Sequence, residues 1–244
     1  ETVGSECTTL QKEMRRAARF FGKCEQAARR KMCVGVFGPS QSGKSYLISA
    51  LARDSRGDLL ADFCGRTSNF ITEINPEGGK ESTGLVTRFT TTPPQGLTPD
   101  FPIRLRLLSE MDVVRVLVNT YYADCEHKQM PDADAMRSAL ERLTQTARQS
   151  SPGASSVTAD DVEDLREYLN RNFLSKPRVQ MLQQGYWAQA VSLAPLLPLS
   201  YRAELFGIIW NNQPKFQQLF LELCQALEAL GNPAEADCPL EALL

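Results

Sequence analysis

The chain has 244 residues, 42% hydrophobic and 23% charged, with a formal net charge of −2. These values are typical of a globular protein with one or two domains. The sequence has no run of about 18 apolar residues, which excludes a membrane-spanning helix. It also lacks the concentrated basic face that a nucleic-acid-binding protein presents, so we expect no nucleic-acid partner.

Residues 1–32 are predicted to form an amphipathic helix. Apolar residues recur three or four positions apart and basic residues fill the other faces. The apolar stripe comprises Leu10, Met14, Ala17, Phe21, Cys24 and Ala28. This pattern indicates a helix that packs on a core, and the alternative is a helix that faces a protein partner or a membrane.

A phosphate-binding loop is predicted at residues 38–45, which read Gly-Pro-Ser-Gln-Ser-Gly-Lys-Ser and match the pattern G-x-x-x-x-G-K-[ST]. We expect an apolar strand at 33–37 before the loop and a helix after it, because this motif connects a strand to a helix. Backbone amides of the loop and the positive end of the helix would then face the phosphates. The predicted nucleotide-binding residues are Gly38, Ser40, Gln41, Ser42, Gly43, Lys44, Ser45 and Tyr46.

The residue types predict a nucleoside triphosphate with Mg²⁺ as the cofactors, and they leave the base open between GTP and ATP. Lys44 would reach the β- and γ-phosphates, and the Ser45 hydroxyl would bind Mg²⁺. Thr87 follows a glycine-rich loop and is predicted to complete the Mg²⁺ shell when the γ-phosphate is present. Lys44 and Thr87 are therefore the candidate catalytic residues. Thr83 is the alternative to Thr87, and Thr87 could also be an ordinary strand residue.

Residues 57–84 are polar and predict an irregular, mobile loop. Residues 85–91 are predicted to pair with 101–107 as a hairpin. Two Asp-x-x-Gly sequences, at 54–57 and 62–65, match a GTPase motif formally, but they precede Thr87 and are interpreted as coincidences. A guanine-reading Asn/Thr-Lys-x-Asp motif is absent from the sequence. We expect the remaining strands of the sheet to lie beyond Leu244.

The second half of the sequence predicts an array of helices. Thr158 and Asp161 predict a capping box, and the aromatic residues lie at helical spacing typical of a core. His127 is the only histidine and none of the seven cysteines forms a Cys-x-x-Cys pair, which argues against a zinc site. Helices are expected at 112–125, 132–148, 158–174, 178–194, 199–210 and 214–230, with a flexible linker at 150–156. A strand is the alternative at 112–125, because this segment is rich in valine.

The predicted fold class is α/β. A P-loop NTPase-type core with an incomplete sheet is joined to an N-terminal helix and a large helical insertion. The expected division is 1–32 for the helix, 33–110 for the nucleotide-binding core with its switch-like loop, and 111–244 for the helical subdomain.

Two resemblances support this interpretation. Gly-Leu-Val-Thr-Arg at 84–88 is similar to the switch I segment of dynamin-type large GTPases, which implies that Thr87 is the Mg²⁺ threonine. The whole chain resembles the SrfC-type family of bacterial virulence effectors through residues 37–51, 74–76 and 81–90, and more loosely through its helical part. Dynamins place a Gln and then a Ser where this chain has Ser40 and then Gln41. The resemblance still implies phosphate binding. The exchanged order of Ser40 and Gln41 means that it does not extend to the dynamin hydrolysis mechanism.

The function expected from the sequence is a dynamin-like, GTP-binding switch in a bacterial virulence-associated protein, with GTP hydrolysis left open. Its helical region is expected to bind a protein partner or to self-assemble, and membrane association stays open. The alternatives are an ATP-using P-loop enzyme and a nucleotide-stabilised scaffold without enzymatic activity. The expected location is the bacterial cytoplasm, with delivery to a host as the alternative.

Overall fold

A computed structural model describes residues 2–38, 42–74, 86–125, 132–149 and 155–242. The chain divides into two compact units. The first comprises Glu1–Leu105 together with Asp237–Leu244, and the second comprises Arg106–Ala236. The C-terminal residues thus return to the N-terminal unit. Four predicted sequence features fall outside the described residues: Ser40 with Gln41, Thr83, His127 and residues 150–154.

The first unit begins with the long helix α1 (Thr2–Ala28), which confirms the predicted N-terminal helix. The expected packing of its apolar stripe on a core is not seen among the described residues, because Leu10, Met14 and Phe21 are exposed. After the glycine loop follow helix α2 (Lys44–Ala52) and the strands β1 (Leu60–Phe63) and β2 (Arg66–Asn69). A π-helical turn spans Phe70–Ile74. Strand β3 (Ile103–Arg106) pairs with β4 (Glu235–Cys238), and the 3-10 turn Leu240–Ala242 follows.

The prediction of an irregular loop at 57–84 is wrong for its described part. Strands β1 and β2 pair antiparallel with Phe63 opposite Arg66. The two turn residues, Cys64 and Gly65, have φ of 57° and 97°, which matches the right-handed twist of a tight hairpin. Positive φ is unusual for a cysteine, so Cys64 did not mark this position as a turn in the sequence.

The hairpin predicted between 85–91 and 101–107 is also wrong. Residues 86–90 have no regular secondary structure, and β3 pairs with the distant strand β4 instead. Arg104 explains part of this choice, because it donates to both carboxylate oxygens of Asp237 at 2.7 and 2.9 Å. A partner 133 positions away in sequence cannot be identified from local pattern.

The strand predicted at 33–37 is not formed within the described part of the chain. Val34 and Phe37 are 94% and 93% exposed. Their apolar character would suit a buried strand, but a strand also requires a neighbour for its backbone hydrogen bonds. The described residues form two two-stranded sheets, and neither includes this segment. The P-loop NTPase-type fold therefore stays a prediction.

The second unit is helical, in agreement with the sequence. Its helices are α3 (Glu110–Asn119), α4 (Ala133–Gln149), α5 (Ala159–Phe173), α6 (Pro177–Leu182), α7 (Tyr186–Leu193), α8 (Leu199–Gly207) and α9 (Pro214–Ala229). A π-helical turn, Thr120–Asp124, extends α3, and a 3-10 turn, Ile208–Trp210, extends α8. The helix predicted at 178–194 is split in two, because Gly185 adopts φ of 113°.

Local signals place the helix ends. The Thr158 Oγ1 accepts from the Asp161 N–H at 3.2 Å, and the Thr158 N–H donates to the Asp161 carboxylate at 2.9 Å. This reciprocal pair confirms the predicted capping box and fixes the start of α5. At the end of α9, Gly231 adopts φ of 80°, which ends the helix before Pro233 as the sequence predicts.

Aromatic side chains form the centre of the helical unit. Trp210, Tyr186, Phe206 and Phe220 are among the largest fully buried side chains. The Phe206 and Phe220 rings meet edge to face with centroids 6.0 Å apart. These residues are therefore core, as their spacing predicts, and they offer no surface on which bases could stack.

Candidate functional site

The glycine loop ends in a sharp left-handed turn. Gly43 has φ of 78° and ψ of 17° and directly precedes α2. An L side chain at this position would be strained, whereas glycine adopts the conformation freely. The Gly43 carbonyl accepts the Leu47 N–H at 2.9 Å, which is the first hydrogen bond of α2. Lys44 and Ser45 therefore occupy the first positions of the helix, where the helix dipole is positive.

Lys44 connects the two ends of the loop. Its Nζ donates to the Gly38 carbonyl at 2.9 Å. A Cβ built on Gly38 would lie 2.9 Å from the Ser42 Oγ and 3.8 Å from the Lys44 Cδ. A Cβ at position 38 would require the Ser42 hydroxyl to rotate away, because the 2.9 Å separation is too short for an ordinary contact. Among the described loop residues, the structure thus brings Gly38, Ser42 and Lys44 close together.

The remaining predicted loop residues differ in their surroundings. Ser45 is half-buried, and the Tyr46 side chain is exposed. Helix α2 has no buried residue, and its apolar side chains Leu47 and Leu51 are exposed. The described loop residues and the first turn of α2 therefore lie at the surface, where a solute can reach them.

Thr87 lies in the exposed segment 86–90. Two residues later, the Phe89 ring meets the Phe70 ring edge to face, with centroids 4.8 Å apart. The turn Phe70–Ile74 in turn packs against α2. Within the described residues, the Thr87 hydroxyl makes no hydrogen bond. The structure thus connects the Thr87 segment to α2 through Phe70.

A second connection joins the same segment to the chain that enters the loop. The Lys31 Nζ donates to the Thr92 Oγ1 at 2.6 Å. Thr92 in turn exchanges hydrogen bonds with Thr90, whose Oγ1 accepts the Thr92 N–H at 3.1 Å. Residues 89–92 are therefore joined directly to Lys31 before the glycine loop, and indirectly, through Phe70, to α2 after it.

Sequence reasoning missed the polar network that supports the turn Phe70–Ile74. The Asn69 Oδ1 accepts the Ile71 N–H at 3.0 Å and acts as an N-cap. Its amide Nδ2 donates to the Asp58 carboxylate at 2.9 Å, and its backbone N–H donates to the Glu73 carboxylate at 3.0 Å. The sequence signal that could have revealed this network is the spacing of Asn69 four residues before Glu73. This network fixes the surface against which α2 packs.

The two Asp-x-x-Gly sequences have structural roles in their own turns. The Asp54 carboxylate accepts the N–H groups of Arg56 at 2.9 Å and Asp58 at 3.0 Å, and these backbone hydrogen bonds lower the pKa of Asp54. The Asp62 carboxylate accepts the Gly65 N–H at 2.9 Å in the β1–β2 turn. Turn formation accounts for both aspartates without a nucleotide.

The residues that could hold Mg²⁺ are the two predicted hydroxyls, Ser45 and Thr87. No group of three His, Cys, Asp or Glu side chains in the described part of the chain could hold a metal ion by itself. Mg²⁺ in nucleotide sites keeps several waters and binds phosphate oxygens together with one or two protein ligands. The hydroxyl donors therefore fit Mg²⁺ as a companion of bound phosphates.

Comparison with known proteins identifies one family. Residues 1–244 match the family model described as "Putative bacterial virulence factor". No curated protein matches, and no solved structure matches. None of the helices formed by the described residues is both long and apolar enough to cross a membrane.

Proposed function

Since the chain belongs to the family described as "Putative bacterial virulence factor", we propose that it is the nucleotide-binding module of a bacterial virulence protein. We propose GTP as the nucleotide, with hydrolysis that drives a dynamin-like conformational switch. The SrfC-type and dynamin-like relationships are part of this proposal.

One observation carries the proposal. The left-handed Gly43 starts α2 at Lys44, and the Lys44 ammonium lies 2.9 Å from the carbonyl of Gly38, the first residue of the motif. A chain that only needed a turn would not require a cation folded back over the loop. The motif needs this cation, because a phosphate that enters the loop replaces the carbonyl as the partner of the ammonium.

The binding chemistry follows from these groups. A phosphate in the loop would accept hydrogen bonds from the N–H groups at the start of α2, and the dipole of the nine-residue helix favours its negative charge. Lys44 would move from the Gly38 carbonyl to the β- and γ-phosphate oxygens. When bound, Mg²⁺ neutralises phosphate charge. Ser45, in the first turn of α2, would supply its hydroxyl to the ion.

The switch would use the segment that carries Thr87. Its exposed hydroxyl is available to the Mg²⁺ shell when a γ-phosphate is present. Phe89 and Thr92 connect the same segment to Phe70 and Lys31. A change in the position of Thr87 would therefore reach the packing of α2 through the Phe70 contact, which is how a local phosphate contact becomes a larger rearrangement.

The test is a titration of fluorescent GTP and ATP with the 244-residue chain in the presence of Mg²⁺. We expect GTP binding that Lys44→Ala weakens by about 10- to 100-fold, because hydrogen bonds to charged groups contribute roughly 1.5–3 kcal/mol. Lys215→Ala is the matched control, since Lys215 is an exposed lysine in the first turn of α9, in the other unit. It should leave the affinity unchanged.

Three outcomes distinguish the alternatives. Preference for ATP would move the protein to the ATP-using P-loop enzymes. Binding without any turnover would favour a nucleotide-stabilised scaffold. Absence of binding to either nucleotide, with the fold intact by circular dichroism, would overturn the proposal.

A further inference from the structure

The apolar stripe of α1 follows the heptad pattern of a coiled coil. Its residues alternate in spacing of three and four, so they recur every 3.5 residues on average over three heptads. With Cys7 at position a, the a and d positions from 7 to 28 are Cys7, Leu10, Met14, Ala17, Phe21, Cys24 and Ala28. A helix that packs on a globular core usually has a wider stripe, with period 3.6.

No described part of the chain covers this stripe. Leu10, Met14 and Phe21 are 57%, 63% and 67% exposed. Cys7 and Cys24 are exposed as well. A continuous apolar row about 30 Å long, at 1.5 Å per residue, thus faces solvent along one side of α1. Rows of this size mark interaction sites rather than ordinary surface.

The charges of α1 argue against a membrane as the occupant. Arg15, Arg16 and Arg19 lie at positions b, c and f, on the side opposite the stripe, whereas Glu13 and Glu25 flank the stripe at g and e. A helix that lies on an anionic membrane keeps its cations near the headgroups. If the stripe of α1 faced such a membrane, the carboxylates of Glu13 and Glu25 would lie near the lipid phosphates, and the three arginines would point away from them.

The same charges are compatible with a second copy of α1. In a parallel pair, a residue at g faces the residue at e in the next heptad of the partner helix. Glu13 would then face Ala18, and Phe20 would face Glu25, so no like charges meet. In an antiparallel pair with Cys7 opposite Cys24, Glu13 would face Phe20. Both arrangements leave all the arginines on the outer surface.

We propose that α1 mediates self-association, in which the stripe from Cys7 to Ala28 packs against the same stripe of a second copy of this chain. This inference does not depend on nucleotide binding. Ala17 and Ala28 let the helices approach closely but bury little area, so we expect a dissociation constant in roughly the micromolar range.

The test is analytical ultracentrifugation of the 244-residue chain with reductant and without nucleotide, at concentrations up to about 200 µM. We expect a reversible monomer–dimer equilibrium. Phe21→Glu should weaken dimerisation by at least about tenfold, since it places a charge in the buried seam. Gln26→Glu introduces the same charge at position f on the opposite side and should leave the equilibrium unchanged. Circular dichroism of both variants verifies that α1 remains helical.

Disulfide mapping after mild oxidation tests the same seam independently. A parallel pair would give Cys7–Cys7 and Cys24–Cys24 bonds, whereas an antiparallel pair would give Cys7–Cys24 bonds, and either result supports the proposal. Bonds distributed without preference over the exposed Cys33, Cys64 and Cys125 would contradict it. A monomer at all concentrations, or a monomer that binds phosphatidylglycerol vesicles through Phe21, would overturn it.

Discussion

Arg202 of α8 and Glu110 of α3 form a two-point ion pair inside the helical unit, with both N–O distances at 2.7 Å. Both side chains are buried. Arg202 also donates to the Leu197 carbonyl at 2.7 Å, and the Ser156 hydroxyl donates to Glu110 at 2.9 Å. The pair thus joins residues 92 positions apart in sequence and satisfies the polar groups that the surrounding apolar core would otherwise leave unpaired.

Removal of one partner should therefore be strongly destabilising. We expect Glu110→Gln to lower the free energy of unfolding by about 3–5 kcal/mol, because Arg202 would lose its buried carboxylate partner. The remaining ion pair of Arg202, with the partly exposed Glu228 at 3.6 Å, is too long and too solvated to compensate. Urea unfolding followed by circular dichroism measures this change. Glu222→Gln, on the exposed surface of α9, is the matched control and should stay within about 0.5 kcal/mol of the wild type. Equal losses in the two variants would contradict the role of the pair.

The same substitution should have opposite effects at two glycines. Neither Gly43 nor Gly22 has an atom within 4 Å of a built Cβ, so packing does not distinguish them. Gly43→Ala should destabilise the start of α2 by about 1–2 kcal/mol, since φ is 78° there. Gly22→Ala, inside α1, should stabilise that helix by about 0.5–1 kcal/mol. Hydrogen-exchange protection of the amides in α1 and α2 measures both changes in helix stability. If both substitutions stabilise or both destabilise their helix, the argument is refuted.

Thr87 should affect hydrolysis more than nucleotide binding. Under the proposed function, Thr87 ligates Mg²⁺ only when the γ-phosphate is present, so Thr87→Ala should lower Mg²⁺-dependent GTP hydrolysis by about 10- to 100-fold. The affinity for GDP should stay unchanged. Thr91→Ala removes an exposed hydroxyl four residues away and serves as the control. If phosphate release is equally slow in both variants, Thr87 has no specific part in the reaction.

Alkaline pH should destabilise the helical unit. Burial raises the pKa of the Cys224 thiol to about 12, and it also raises the pKa values of Tyr122 and Tyr186. Groups whose pKa is higher in the folded protein favour folding below their unfolded pKa, and this contribution is lost as pH rises. We expect the free energy of unfolding to fall above about pH 9, by up to about 1.4 kcal/mol per pH unit for each ionising group. Urea midpoints between neutral pH and pH 11 measure this slope, and a flat profile would contradict it.

The same burial predicts thiol reactivity. At pH 8 a thiol reagent should modify the exposed Cys33, Cys64 and Cys125 rapidly, and Cys224 only after denaturant is added. Peptide mapping identifies the modified residues. Rapid modification of Cys224 in the native chain would show that the core around it opens readily.

The sequence by itself determined the local features of this protein. The capping box at Thr158, the helical stripe of α1 and the aromatic core around Trp210 depend on residues a few positions apart, and side-chain periodicity reports them directly. The match to the phosphate-loop motif likewise needed eight adjacent residues. The left-handed Gly43 and the Lys44–Gly38 contact lie within that stretch.

Only the tertiary structure decided which distant segments meet. β3 pairs with β4 rather than with residues 85–91, Phe89 reaches Phe70, and Glu110 meets Arg202, and none of these partners has a signal in the local sequence. Each such contact forms only when the rest of the chain has folded, because burial and charge pairing bring together residues that are far apart in sequence. Residues 33–37 show the same dependence on distant partners. An apolar segment becomes a strand only where another segment supplies its backbone hydrogen bonds.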